Sequence, residues 1–547
     1  MAFKSADKNA DIGNTMKAIC VLYGGDLKPQ AFEALPNGKS AFSMAAEVSL
    51  RFPGVEKTVL LCNEEASKNE IVNSADFSYV EKVCSPSPLW TKKSLLEEIT
   101  RLAAGYTFVY FAWADCPLLD SELAASLAIR HTRYAADYSY SDGLPYGFAP
   151  ELLSASTAGI LSVIAKDDET PVSRDALFSV IQKDINSFDI ETEISSVDLR
   201  EHRLCLAADN KRNFKLLSNL MQAGLSSSTD AENVIGKNLH LLRTLPAFYN
   251  IQIVSDCPQT CALCPWPKYR AKSGSAIMAK NDFTKLLDKI EDFSGDAVIS
   301  LSLWGEPALH PEKIALMQEV LSRRSLSLLI ETSGIGWKEE ELKTLSDLAS
   351  NAALRINGLS SISWIVSLDA YDPERYKEVR GAGFAEAKST TKKLFELFPS
   401  STYVQALRVS GFEDDIEKFY RYWKDEGLPP EVNQAIKKDG SHIIIQKYDH
   451  FSGALPDLST SDLRPLKRLP CWHIQRDMNI LVDGTVPCCR EDLGALEGNA
   501  SMQILGNALT GFLSDIWKNG QELYREHCAC EYSSICANCD EYYTYNF

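Results

Sequence analysis

The chain has 547 residues, 45% of them hydrophobic and 24% charged, with a formal net charge of −18. That length exceeds one compact core and implies two to four domains of ordinary globular composition, which excludes disordered and collagen-like classes. The acidic balance repels phosphate backbones and argues against nucleic acid as a general partner. No apolar run nears the roughly 18 residues of a bilayer span, and the Met1–Met16 start is polar, so a cytoplasmic protein without a membrane partner is expected. In chain order, residues 17–23, 57–62 and 107–113 read as short buried strands, with helical patterns at 91–104 and 121–135. This alternation predicts an α/β unit with a parallel sheet over 1–205, followed by a helical linker over 206–245. From 246 to 454 the alternation restarts, with strands at 248–254, 297–303, 326–331, 363–368, 403–409 and 442–447 and helices such as 281–292 and 311–323. Six βα units in about 200 residues suggest a partial (β/α)6 barrel with ligands at the carboxyl ends of its strands. Residues 455–547 are loop-rich and cysteine-rich and offer little apolar core, which points to a small metal-stabilised domain.

The 15 cysteines do not read as a disulfide framework in a reducing compartment. Cys20, Cys62, Cys84, Cys116 and Cys205 are scattered and behave as small buried hydrophobes. The others fall into two tight groups, 257–264 and 471–539. Cys257-Pro-Gln-Thr-Cys261-Ala-Leu-Cys264 follows directly on a strand ending at Val254. Three thiolates on one loop suit three irons of a cubane and leave the fourth without a protein ligand. Structural zinc wants four ligands, and no fourth cysteine or histidine is near in sequence.

This spacing resembles the signature of the radical S-adenosylmethionine (SAM) superfamily. The resemblance implies a SAM-cleaving 4Fe–4S cluster on Cys257, Cys261 and Cys264, a 5′-deoxyadenosyl radical, and hydrogen abstraction from a substrate. An electron donor such as flavodoxin or ferredoxin is implied with it. One departure is Leu263, where the family often carries an aromatic residue that touches adenine. Trp304-Gly305-Glu306-Pro307 looks like the family's GGEP motif, in which a backbone edge and a carboxylate hold the SAM ammonium. Thr332-Ser333 ends the next strand. Ser367 and Asp369 alternate at period two and so face one side, like the group that contacts the SAM ribose. Gln405 and Arg408 lie on the fifth strand, and a guanidinium buried there wants an anion such as the methionyl carboxylate.

The tail resembles the SPASM extension, which carries auxiliary iron–sulfur clusters. Cys471, Gly484 and Cys489 match its opening, and Cys528, Cys530, Cys536 and Cys539 its ending, at altered spacing. The resemblance implies at least one auxiliary 4Fe–4S cluster, with Cys471, Cys489, Cys536 and Cys539 as its first-choice ligands. Cys488, Cys528 and Cys530 are left either for a second cluster or as ordinary thiols, and four thiolates also suit tetrahedral zinc.

Residues 17–205 resemble, over shorter pieces, nucleotide-sugar-forming nucleotidyltransferases: Asp115-Cys-Pro-Leu118, Asp142-Gly143 with Glu151, and Asp198-Leu-Arg200 with Arg203. The resemblance implies a magnesium-binding role for Asp115. Tyr23-Gly-Gly-Asp-Leu-Lys-Pro29 departs from the family's basic phosphate loop, since Asp26 repels phosphate, and Lys39 is a loose candidate for a phosphate lysine. A degenerate unit that binds a ligand without full transferase activity is expected. The whole-chain order resembles the spirochaete-type radical SAM/SPASM proteins. A peptide or protein substrate follows from the tail, a nucleotide sugar or glycan precursor from the first unit. An iron–sulfur electron carrier or zinc-stabilised binding protein is the alternative of another class.

Overall fold

In the computed structural model, which describes residues 17–85, 87, 89–273, 275–425, 442–460, 465, 467–494 and 503–544, the chain forms two units, Met1–Leu242 and Arg243–Phe547. Both are mixed α/β and each is built on a largely parallel seven-stranded sheet.

The strands of the first unit are Ala18–Gly24 (β1), Val55–Cys62 (β2), Val80–Cys84 (β3), Phe108–Trp113 (β4), Tyr138–Asp142 (β5), Glu151–Ser154 (β6) and Ile190–Ile194 (β7). They lie in the order β3-β2-β1-β4-β6-β5-β7. β1 is buried along its whole length because β2 and β4 pair with it in parallel and helices cover both faces. β6 is antiparallel to β4 and β5, unlike the all-parallel expectation. The Gly143–Pro150 link between β5 and β6 is shorter than the dozen or so residues that a parallel crossover requires. The helix Lys92–Leu102 starts on a capping box of Thr91 with Ser94, and Ser121–Tyr134 starts on Asp120, whose carboxylate accepts from the Glu122 and Leu123 amides. The segment read as a linker is packed instead: Leu216, Leu217 and Leu220 of helix Lys211–Gln222, and Val234 and Ile235 of helix Ala231–Lys237, join Leu118 and Phe148 in one apolar cluster. The i, i+1, i+4 spacing of the three leucines makes an apolar stripe on their helix that had to be covered.

The second unit contains Phe248–Ile251 (β8), Ala297–Ser300 (β9), Leu326–Thr332 (β10), Ile362–Ser367 (β11), Thr402–Arg408 (β12), Ile443–Lys447 (β13) and Asp477–Ile480 (β14), in sheet order β13-β12-β11-β10-β9-β8-β14. Every pairing is parallel, so successive strands return through helices and all carboxyl ends point one way. β14 comes from the cysteine-rich tail, at Asp477, and pairs with β8. Thr485–Pro487 (β15) and Ile504–Asn507 (β16) form a small antiparallel ribbon. Val486, Leu505, Ile516 and Trp517 share one continuous core with the sheet, so the tail is not an independent droplet. Arg243 ties them together: its Nε donates to the Ile474 carbonyl and its Nη1 to that of Trp517, with the guanidinium 3.5 Å from the Trp517 ring centroid. Among the described residues, no helix is long and apolar enough to cross a membrane.

Candidate functional site

The loop after β8 carries Cys257, Cys261 and Cys264. Its position is set by close backbone contact on one side and by an arginine on the other. A Cβ on Gly305 would stand 1.9 Å from the Val254 carbonyl oxygen, so only glycine admits this approach. The Glu306 amide then donates to the Asp256 carbonyl at 2.8 Å, and the Cys257 amide to the Asp256 carboxylate. On the other side, Val379 and Arg380 accept from the Ala262 and Thr260 amides. The Arg380 guanidinium donates to Gln259 Oε1 and, at 2.6 Å, to Asp369 Oδ2. Gly381 sits at φ +97 against Thr260.

Burial raises all three thiols, Cys257 to about 11 and Cys264 to about 12; neighbouring thiol charge adds to it at Cys257 and Cys264, and the Asp369 and Glu306 carboxylates add to it at Cys261. For Cys261 the Arg380 cation is the strongest opposing influence. Three half-buried thiols that resist ionisation together suit a metal group able to carry thiolate charge. Among the described residues, the one histidine, cysteine and carboxylate trio whose ligand atoms all lie within 4.8 Å is Asp449, Asp540 and Glu541. Three thiols on one loop suit a cubane, which takes each sulfur on a different iron.

The strand ends beside this loop bring Glu306, Thr332 and Ser333 together. Glu306 Oε1 accepts from Thr332 Oγ1 at 2.6 Å, and Oε2 from the Ser333 amide and hydroxyl at 2.8 and 2.7 Å. Pro307 opens a short 3-10 turn that Glu306 caps through the Ala308 amide. Burial raises the Glu306 carboxyl, and these neutral donors oppose it. Trp304 is held at φ +47, a conformation rare for bulky residues. Its ring stacks on Trp266 at 6.2 Å and meets Phe451 at 5.4 Å.

Further along the same sheet edge, Ser367 Oγ and Gln405 Nε2 both donate to Glu331 Oε1, at 3.2 and 3.3 Å. Asp369 lies beyond the strand end at φ +56 and accepts from the Leu407 amide as well as Arg380, so its period-two alternation with Ser367 is broken. Arg408 corrects the expectation of a buried guanidinium: it is exposed. Gln405 and Arg408 are three residues apart, which places them on opposite faces of a strand. Arg380, Gln259 and Trp266 escaped the sequence reading. The signal for Arg380 was there, in Arg380-Gly381-Ala382-Gly383, where both glycines take positive φ.

In the tail, Cys471, Cys489, Cys536 and Cys539 line one small cavity together with Arg468, Glu491, His527 and Tyr542. Burial pushes Cys471 up to about 12, and Cys489 and Cys539 further. Arg468 closes the site, donating to the Cys536 carbonyl while its guanidinium stacks between Tyr532 and Tyr542. Cys528 ends a helix outside this cavity, Cys530 is exposed, and Cys488 donates to the Gln503 carbonyl. Beside the cavity, Lys447 pairs with Asp540 and Glu541, both at 2.6 Å.

In the first unit, Asp115 is not available to a metal. Arg174 donates to both its oxygens, at 2.9 and 2.6 Å, and also to Asp209 at 3.0 Å. Lys39 pairs with Glu47, Asp26 with Lys28, and Arg200 with Asp142 and Asp198. The hydroxyl of Tyr138 donates to Glu151 at 2.6 Å.

No family model matches the chain. An uncharacterized protein of Treponema pallidum is 37% identical over 381 residues, spanning 68% of this chain and 98% of its own length. A probable GTP 3′,8-cyclase of Methanococcus vannielii is 22% identical over 268 residues, 45% of this chain and 85% of that protein. Among solved structures, Streptococcus suis SuiB bound to S-adenosylmethionine matches at 14% identity and a TM-score of 0.36, covering 54% of this chain and 73% of that one.

Proposed function

This chain belongs to the family of the Treponema pallidum protein, and we propose that it is an enzyme that cleaves SAM reductively at a 4Fe–4S cluster and abstracts hydrogen from a substrate, a peptide or protein. The observation that carries this reading is the meeting, at one end of the second sheet, of a three-thiol loop with a buried carboxylate bonded by neutral donors. The donor set fits the cluster: three soft sulfurs on one loop, one short of the four ligands structural zinc wants, with the Arg380 cation beside Cys261 to offset thiolate charge. Such a cluster, when bound, supplies the electron that opens the sulfur–C5′ bond of SAM. The protein's own work is positioning. Glu306 is oriented by Thr332 and Ser333 to receive the SAM ammonium, and the incoming cation favours its charged form. Ser367, Gln405 and Glu331 make a polar rim for the ribose. Trp266 and Trp304 offer the ring face that Leu263 lacks.

The sheet from β13 to β14 is read as a partial barrel and residues 455–547 as a SPASM-type extension. Its auxiliary 4Fe–4S cluster sits on Cys471, Cys489, Cys536 and Cys539, a choice supported by the cavity they share. A flavodoxin or ferredoxin supplies the electrons, in the cytoplasm.

Anaerobic reconstitution tests this reading, with iron counted per chain and 5′-deoxyadenosine measured after dithionite and SAM. Roughly eight irons mean one auxiliary cluster and roughly twelve mean two, at four per cubane. The nucleoside product should vanish in Cys261→Ala. Failure of the loaded protein to bind SAM, or a preference for zinc over iron, would overturn it.

A further inference from the structure

The first unit holds a cleft of about 310 Å3 where β4 and β5 end. Its walls are aromatic: Trp113, Tyr138, Tyr140, Tyr146 and Phe178. Tyr138, Tyr140 and Phe178 stand in mutual contact, with centroids 5.7, 6.0 and 6.2 Å apart. Among the described residues the wall has a single cation, Arg174, and it is committed to Asp115 and Asp209. Its guanidinium already lies on an aromatic face, 4.1 Å from the Trp113 centroid and 5.3 Å from that of Tyr146. Two further carboxylates face the cleft, Glu151 and Asp175, and their bonds come from the neutral hydroxyls of Tyr138 and Ser173. Trp113 Nε1 and Ser141 Oγ are buried without a partner.

We propose that this cleft binds an organic ammonium with an apolar body, its cation meeting Asp175 and Glu151 and its hydrocarbon part lying against Tyr138, Tyr140 and Phe178. Aromatic faces attract cations through the ring quadrupole, and more strongly where water is excluded. An apolar pocket with a few convergent polar groups is the ordinary form of a small-molecule site. The same wall disfavours phosphate: its carboxylates exceed its cations, and Arg174 has no capacity left to neutralise an anion. The site is therefore of opposite polarity to the nucleotide pocket implied by the short sequence resemblances of this unit, and it stands independently of the chemistry proposed for the second unit.

Binding should depend on pH through Glu151. Burial raises its carboxyl to about 7, with the Asp175 charge adding and the Tyr138 bond opposing. The Tyr138 and Tyr146 phenols are pushed well up by burial and stay neutral in this range, and Arg174 stays charged. A ligand cation prefers ionised Glu151, so affinity rises between pH 6 and 8, by up to about tenfold.

The test titrates the full chain with 2-phenylethylammonium and with its neutral counterpart 2-phenylethanol, by calorimetry and tryptophan fluorescence. The amine should bind about tenfold tighter than the alcohol. Asp175→Asn should weaken the amine about fivefold and Tyr140→Leu similarly, while Glu151→Gln should flatten the pH dependence. Circular dichroism on each variant confirms that the unit is folded. Equal binding of the alcohol would reduce the cleft to an apolar hole, displacement of the amine by CTP with magnesium would make it a phosphate site, and no saturation below about 10 mM amine would mean no site. Each of these outcomes overturns the proposal.

Discussion

Asp115 and Glu306 are the same kind of residue in the same kind of place, a carboxylate buried just past the end of a parallel strand, 3% and 2% exposed. They differ in what meets their charge. Asp115 has both oxygens on the guanidinium of Arg174. Glu306 has its oxygens on two hydroxyls and two amides, and no ion pair to it is recorded among the described residues. A buried carboxylate with an internal cation is a finished structural pair, whereas one supported by neutral dipoles keeps charge to give to a ligand. The difference explains why the metal role implied for Asp115 finds no room, while Glu306 stays the better candidate for a cationic group.

The largest expected effect comes from the contact that places Glu306. Gly305→Ala forces a Cβ into the Val254 carbonyl, so the three-cysteine loop must move. Stability should drop by more than about 4 kcal/mol and iron content at that loop should fall, read by thermal melting and iron assay. Next, Arg174→Met should cost about 3–5 kcal/mol, because it strands the buried Asp115, with the half-buried Asp209 beside it, without their cation. The double variant with Asp115→Asn should recover much of that loss in a denaturant titration, and no recovery would break the pairing account. Glu306→Gln keeps the shape and removes the charge. It should weaken SAM binding about tenfold or more, a loss of about 1.4 kcal/mol, while Asp115→Asn leaves SAM binding unchanged. In the tail, Cys536→Ala should lower the iron count by about four per chain, and Cys530→Ser, at an exposed position outside the cavity, should not. The smallest effect belongs to Arg408→Ala, expected within about 0.5 kcal/mol in stability and without effect on SAM affinity.

Much of this was legible in the residue order. The apolar runs marked the six strands β8 to β13 and three strands of the first sheet, because parallel strands buried on both faces must be apolar throughout. Four further strands of the first sheet escaped: Val80–Cys84, Tyr138–Asp142, Glu151–Ser154 and Ile190–Ile194 are short, partly exposed or polar. β14 escaped for a different reason. It is four residues long, and it joins the sheet of residues more than two hundred positions away, a pairing no local pattern announces.

By itself, the sequence determined the local chemistry: three cysteines on one loop, a carboxylate after a glycine at a strand end, and a cluster of thiols in the tail. These depend on spacing along the chain, which a single segment carries. The tertiary structure decided which charges are spent. Arg174 lies 59 residues from Asp115, and Arg380 more than a hundred from the Cys261 it stands beside. Arg408 was turned outward by strand alternation, and four of the tail's cysteines were gathered around one cavity. Charge compensation and burial are sums over neighbours in space, and folding, not residue order, brings those neighbours together.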